Sequence, residues 1–264
     1  MNPLTFEVAF IPKEVRTDPI PICVVIDVIR ASTSMVTMLE KGCSEIILTS
    51  DEKETYEKFQ VQGIEDILIC SENDDGTAAE FADFSPSISS IRQASVKGKK
   101  VIFRTTNGTR AAQTLWKQGI NGIFIGCMHN AEAVMNEVVQ QAAKSQKNIT
   151  IVCSGRERGE IPTTDDVYTA GILMKYARMA ADRLGLTYVL KDSAKIAEHV
   201  NHVYEDTVDA FSDSGSGETM RRIQSTLDIA LCSKENVSNL IPFIEFSGEG
   251  ETIIAKKLER VINP

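Results

Sequence analysis

Acidic and guanidinium side chains recur in this chain just after runs of β-branched and aromatic residues, where a strand would end. Asp27 and Arg30 follow Val24-Val25-Ile26, and Arg104, Thr105, Thr106, Asn107, Gly108, Thr109 and Arg110 follow Val101-Ile102-Phe103. Glu72 closes the run Ile67-Leu68-Ile69, and Ser154, Gly155, Arg156, Glu157 and Arg158 follow Ile151-Val152-Cys153. Asp165 and Asp166 open a long helical pattern. Arginines, hydroxyls and the free amides of a helix start bind oxyanions, while carboxylates hold a hard divalent cation. If these segments lie side by side, they form a pocket for a phosphate or sulfonate. Each has a plainer explanation taken alone: Ser and Thr cap helices, Asp165 and Asp166 suit a helix N-terminus, and Arg156 and Arg158 suit a solvated surface.

The elements that must position these groups are legible in the patterning. Residues 24–33 and 101–110 are related units: an apolar run, a polar turn, then a helical stretch ending at Gly42 or Gly119. A second apolar run follows each, Ile46-Ile47-Leu48 and Ile123-Phe124-Ile125. Periodicity predicts strands over 6–11, 22–29, 45–49, 66–70, 100–104, 122–126, 148–153, 227–232 and 240–246. It predicts helices over 32–41, 53–62, 109–118, 131–144, 165–184, 193–204 and 217–224. Strands and helices alternate up to about residue 185, which predicts a three-layer α/β/α fold with a largely parallel sheet and two related strand-turn-helix units. In such sheets ligands sit beyond the carboxyl ends of strands. The chain reads as a single domain over 1–264. Its last third either closes the sheet edge or builds a smaller lobe from about residue 186. Residues 71–90 form the longest aperiodic stretch, and 211–217 reads as an anion-contacting loop or a linker.

Composition narrows the function. A net charge of −9 argues against a nucleic-acid partner. The absence of a long apolar run argues against a membrane span. The first residues lack a basic-then-apolar leader, so a cytoplasmic location is expected. The six cysteines are scattered singly, without zinc spacing, as free thiols in a reducing compartment would be. There is no GxxxxGK[ST], Cys153 and Arg158 stand too close together for a cysteine-phosphatase cradle, and Ile29 stands where an aspartyl-phosphate enzyme needs a second Asp. None of the three histidines lies in a phosphohistidine context.

These motifs, in this order, resemble the 2-phosphosulfolactate phosphatase family, magnesium-dependent hydrolases linked to coenzyme M biosynthesis. The resemblance rests on Val24 through Ser32, Thr105 through Ala111, Cys153-Ser154-Gly155, Asp165-Asp166, Ala170-Gly171, the run Asp228 through Cys232, and Ile241-Pro242. It implies hydrolysis of 2-phospho-3-sulfolactate to 3-sulfolactate and phosphate. With it comes an expected set of roles: Asp27, Arg30 and Asp166 in catalysis, and Mg2+ on some of Asp27, Glu72 and Asp166. Thr105, Thr106, Asn107, Gly108, Thr109, Arg110, Ser154 and Gly155 would bind substrate. Asp27 as nucleophile or as general base stays open. Where the family usually carries Gly-Glu-Arg-Gly-Gly, this chain has Ser71-Glu72-Asn73-Asp74-Asp75. That exchange adds negative charge near the expected substrate. A second reading is therefore a diverged paralogue that binds a small phosphorylated or sulfonated acid without cleaving it, or a phosphatase of another small hydroxy-acid phosphate. The expected partner is a small anionic substrate, with no nucleic acid and no membrane. A homodimer is an open option.

Overall fold

In the computed structural model, which describes residues 3–247 and 252–258, the apolar runs become strands and the turns after them open helices. The first half contains β1 (Leu4–Ala9), β2 (Ile22–Ile26), α1 (Ala31–Glu40), β3 (Glu45–Leu48), α2 (Glu52–Val61), β4 (Ile67–Ser71), α3 (Ile88–Gln93), β5 (Lys100–Arg104) and α4 (Gly108–Lys117). Next come β6 (Ile123–Ile125), α5 (Ala131–Ser145), β7 (Ile149–Cys153), α6 (Thr164–Arg183) and β8 (Tyr188–Leu190). The chain continues through α7 (Asp192–Val200), α8 (Thr207–Ser212), α9 (Gly215–Arg222), α10 (Leu227–Cys232), β9 (Pro242–Ser247) and β10 (Thr252–Lys257). No helix among the described residues is long and apolar enough to cross a membrane.

All ten strands join one sheet in the order β4-β5-β3-β10-β9-β6-β2-β7-β1-β8, with helices covering it in the α/β/α manner. Pairing is parallel within β4-β5-β3 and within β6-β2-β7-β1-β8. Between the two blocks stand β9 and β10, antiparallel to each other and to the strands they flank. Three successive reversals separate β3 from β6, so the two parallel blocks run in opposite directions. The site is thus not one edge of a single parallel sheet. The right-handed twist of sheets, on average roughly 20–25° per strand pair, accumulates over the five steps from β5 to β2. Strands that oppose each other on a flat diagram can then bring their carboxyl ends together.

The core lies between sheet and helices. Phe6, Ile26, Met38, Phe103, Leu115 and Ile123 are among its fully buried members, and each such side chain stabilises the fold by about 1.5–3 kcal/mol relative to exposure. Residues 227–232 form a helix rather than the expected strand. The alternation Leu227, Ile229, Leu231 suggested period two, but burial falls on Asp228, Ile229, Leu231 and Cys232, and Leu227 is exposed. Residues 211–217 are no linker either, because Ser214 caps α9 by accepting from the Gly217 N–H at 3.0 Å. The aperiodic stretch after β4 is tied back to it: Asp83 N–H donates to Ile69 O at 2.9 Å, and Ala79 N–H to Ser71 O at 3.2 Å. All six cysteines are free and buried, and burial pushes the Cys23 thiol up to about 12.

Candidate functional site

β2 stops at Ile26, so Asp27 is the first residue beyond the strand. Its carbonyl accepts from Ser32 N–H at 2.8 Å and from the Ser32 hydroxyl at 2.9 Å, which turns the chain into α1. The two related units meet here. An atom placed as Cβ on Gly108 would lie 3.0 Å from Ala31 Cβ and 3.2 Å from Asp27 Oδ2. Glycine lets the first turn of α4 approach the first turn of α1 this closely without the neighbours giving way by a few tenths of an ångström. The Asp27 carboxylate therefore lies between two helix N-termini, and the N–H groups of Ala31 and Gly108 favour its ionised form. That help is outweighed. Burial, then Glu72, then Asp165 push the Asp27 carboxyl up to about 7. By surface area Asp27 keeps a small accessible edge although protein packs densely around its carboxylate.

Asp165 and Asp166, in the first turn of α6, complete the acidic group. Asp166 Oδ1 accepts from Val28 N–H at 3.0 Å and Oδ2 from Gly155 N–H at 3.2 Å, clasping the β2 and β7 turns together. Burial, then Asp165 and Asp27, hold its carboxyl well above the usual range. Burial also raises Asp165; the hydroxyls of Ser216, Thr163 and Ser214 oppose this, yet Oδ1 has no hydrogen-bond partner of ordinary geometry. Three carboxylates thus lie near one another, and burial is the first cause of each raised value, with repulsion by neighbouring carboxylates adding to it at Asp27 and Asp166. In donor type and in unbalanced charge they suit a hard divalent cation. As placed, they do not gather three at a time at ligating distance among the described residues.

Arg30 lies elsewhere in the network than a free oxyanion binder would. Its guanidinium is buried and donates to Glu72 Oε2 at 2.9 Å, Gly76 O at 2.8 Å and Asp228 Oδ2 at 3.2 Å. Burial alone would lower its pKa, but Glu72 and then Asp228 hold it above the ordinary value. Asp228 Oδ1 in turn accepts from the Ser87 hydroxyl and Ile88 N–H, both at 3.0 Å. Arg30 is a strut that fixes the 72–76 loop to α3 and α10. Arg104, at the end of β5, is similarly used, donating to Glu72 O at 2.8 Å and pairing with Glu52 and Asp74.

Two cavities open beside this network. The larger, about 490 Å³, is lined by Arg30, Glu72, Asp74, Asp75, Thr106, Asn107, Arg156, Arg158 and, from α9, Ser216, Thr219, Met220 and Arg222. The smaller, about 40 Å³, is lined by Ser50, Asp74, Arg104, Thr105, Thr106, Thr109, Arg110 and Arg158. The buried hydroxyls of Thr105, Thr109 and Ser154 have no hydrogen-bond partner, so this region retains donors for a ligand. Gly155 serves the backbone: its φ is +66°, and a Cβ there would lie 2.6 Å from Ile161 O. Of the α9 residues, Thr219, Met220 and Arg222 fall in the helix that periodicity predicts over 217–224, and Ser216 in the stretch read as an anion-contacting loop or a linker, but none carries a site motif. Their signal was slight: Ser214 ahead of Glu218, then Arg221 and Arg222, a charge order matched to a helix dipole.

The family described as 2-phosphosulpholactate phosphatase matches residues 9–246. A protein of Deinococcus radiodurans named probable 2-phosphosulfolactate phosphatase is 32% identical over 222 residues, 84% of this chain and 86% of its own. Proteins of the same name from Thermus thermophilus and Caldanaerobacter subterraneus are 27% and 29% identical, over 92% and 83% of this chain and 98% and 86% of theirs.

Proposed function

Because the chain belongs to the 2-phosphosulpholactate phosphatase family, we propose that it is a magnesium-dependent phosphatase hydrolysing 2-phospho-3-sulfolactate to 3-sulfolactate and phosphate. The observation that carries this reading is the approach of Gly108 to Asp27, which sets a buried carboxylate against the N-terminus of α4. Oxyanion-binding amides and a carboxylate able to hold a cation then share one point in space.

Asp27, Glu72 and Asp166, with the unpartnered Asp165 Oδ1 beside them, would hold Mg2+, which supplies charge neutralisation and lowers the pKa of bound water. The chain's own residues do the rest. The first-turn amides of α4 and the Thr105 and Thr109 hydroxyls receive phosphoryl oxygens. Without metal, burial, Glu72 and Asp165 hold the Asp27 carboxyl up to about 7, so a bound cation would favour its ionised form and relieve the repulsion among these carboxylates. Asp166 holds the Val28 and Gly155 amides so that the β2 and β7 turns keep their places. Arg30 positions Glu72 from behind and touches no substrate in this account. A cytoplasmic setting and a link to coenzyme M biosynthesis go with the same proposal.

A second reading is favoured by one observation. Asp74 and Asp75, in the loop where the family usually has glycines, line the larger cavity. Their charge suits a substrate other than phosphosulfolactate, such as another small hydroxy-acid phosphate. Phosphate release from racemic phosphosulfolactate and a panel of phosphorylated hydroxy acids, with and without Mg2+, separates the two. Preference for phosphosulfolactate supports the first reading. Preference for another acid makes the 72–76 loop the specificity element, and binding without release marks a non-cleaving paralogue.

A further inference from the structure

The two cavities abut, and Asp74, Thr106 and Arg158 line both. The arginines around them differ in how far the protein has already used them. Arg30 is paired with Glu72 and Asp228, and Arg104 with Glu52 and Asp74. Arg156 donates to the Thr219 hydroxyl at 3.1 Å, and Arg222 to Asp75 O at 2.8 Å. Among the described residues lining the cavities, only the Arg110 and Arg158 guanidiniums lack an acceptor, and of these Arg158 alone faces both spaces.

Arg158 is also held with unusual care for an exposed residue. It sits at the tip of a tight turn closed by Arg156 N–H to Ile161 O at 2.8 Å and Ile161 N–H to Arg156 O at 3.2 Å. Glu157 and Arg158 both take left-handed backbone, with φ of +49° and +64°, a region L residues rarely adopt. The turn is pinned on one side by the Lys13–Glu160 ion pair. On the other, Arg158 N–H donates to Asn107 Oδ1 at 3.2 Å, tying it to the turn before α4. A strained, braced turn that presents an unpaired guanidinium at the junction of two cavities is arranged for a ligand.

We infer that Arg158 reads the second oxyanion, a sulfonate or carboxylate, of a small two-headed phosphomonoester whose phosphoryl group sits at the α4 turn. The inference rests on the phosphatase reading only for the reaction. The smaller cavity, with its unpartnered Thr105 and Thr109 hydroxyls, has room for one compact polyatomic group and not for a whole substrate. The remainder must extend past Arg158 into the larger space. The fork of a guanidinium matches a sulfonate or carboxylate with two parallel hydrogen bonds.

Calorimetric titration of the full chain with 3-sulfolactate, which keeps both acid groups but has no phosphoryl, and separately with inorganic phosphate tests this. Arg158→Gln should weaken sulfolactate binding by about 10-fold or more while phosphate affinity stays within ~3-fold, the loss expected for a charge-assisted pair. Arg158→Lys should recover only part, because it lacks the fork. Equal sulfolactate affinity in wild type and Arg158→Gln overturns the inference. So does an equal fall for both ligands, or a wild type that binds phosphate but not sulfolactate. A wild type that binds sulfolactate through Arg158 yet never releases phosphate from phosphosulfolactate sinks the phosphatase reading and leaves this one standing.

Discussion

Replacing Asp27 by Asn should stabilise the metal-free protein while abolishing turnover, and the size of the effect follows from its surroundings. Burial, Glu72 and Asp165 raise the carboxyl from 3.8 to about 7. Three units at about 1.4 kcal/mol each place the cost of the folded anion at roughly 4 kcal/mol once it is fully ionised. The sign is fixed by proton binding. Between about pH 4 and pH 7 the folded chain keeps a proton that the unfolded chain has released, so stability falls as pH rises through this window. Asparagine removes the charge and presents one acceptor to the Ala31 and Gly108 amides in place of a carboxylate. Losing one hydrogen bond returns about 1 kcal/mol, and water at the accessible edge softens the penalty further. A net gain of roughly 2–3 kcal/mol at pH 8 remains, or about 4–6 °C in Tm at this chain length. At pH 5, where wild-type Asp27 is protonated, the gain should nearly vanish. Thermal and urea melts in chelator at pH 5 and pH 8 measure both. An Asp27→Asn protein no more stable than wild type at pH 8, or equally stabilised at both pH values, would refute the reasoning.

Two further outcomes follow from the same network. At pH 8, Mg2+ at about 100 times its Kd should raise wild-type stability by about 2.7 kcal/mol, and Asp27→Asn should lose most of that shift; equal shifts would remove Asp27 from the metal set. Asp228→Ala leaves Arg30, Ser87 and Ile88 without their shared acceptor and should cost about 3–5 kcal/mol in urea unfolding, whereas a loss below about 1 kcal/mol would show that Arg30 is held by Glu72 alone.

What could be read from the sequence was local. Val24-Val25-Ile26 before Asp27, and Val101-Ile102-Phe103 before the Thr105–Arg110 turn, announce buried strands feeding polar helix starts, and both are found there. The meeting of the two units at Gly108 could be suspected from their likeness but not located. The opposed directions of the two sheet blocks were hidden because they depend on where β9 and β10 insert, a pairing between distant segments that no periodicity encodes. The partners of Arg30 were hidden for the same reason. Its type and spacing suggest an anion binder, while its actual acceptor Asp228 stands 198 positions away on a helix that had looked like a strand. Arg158 reads as ordinary surface until the left-handed turn beneath it is seen.

The most direct test of the account is the initial rate of phosphate release from 2-phospho-3-sulfolactate by wild type and Asp27→Asn, each with Mg2+ and with chelator. The account predicts release only from wild type with Mg2+, and an Asp27→Asn protein that is folded, more stable at pH 8, and inactive. Metal-independent release, or full activity in folded Asp27→Asn, would contradict it.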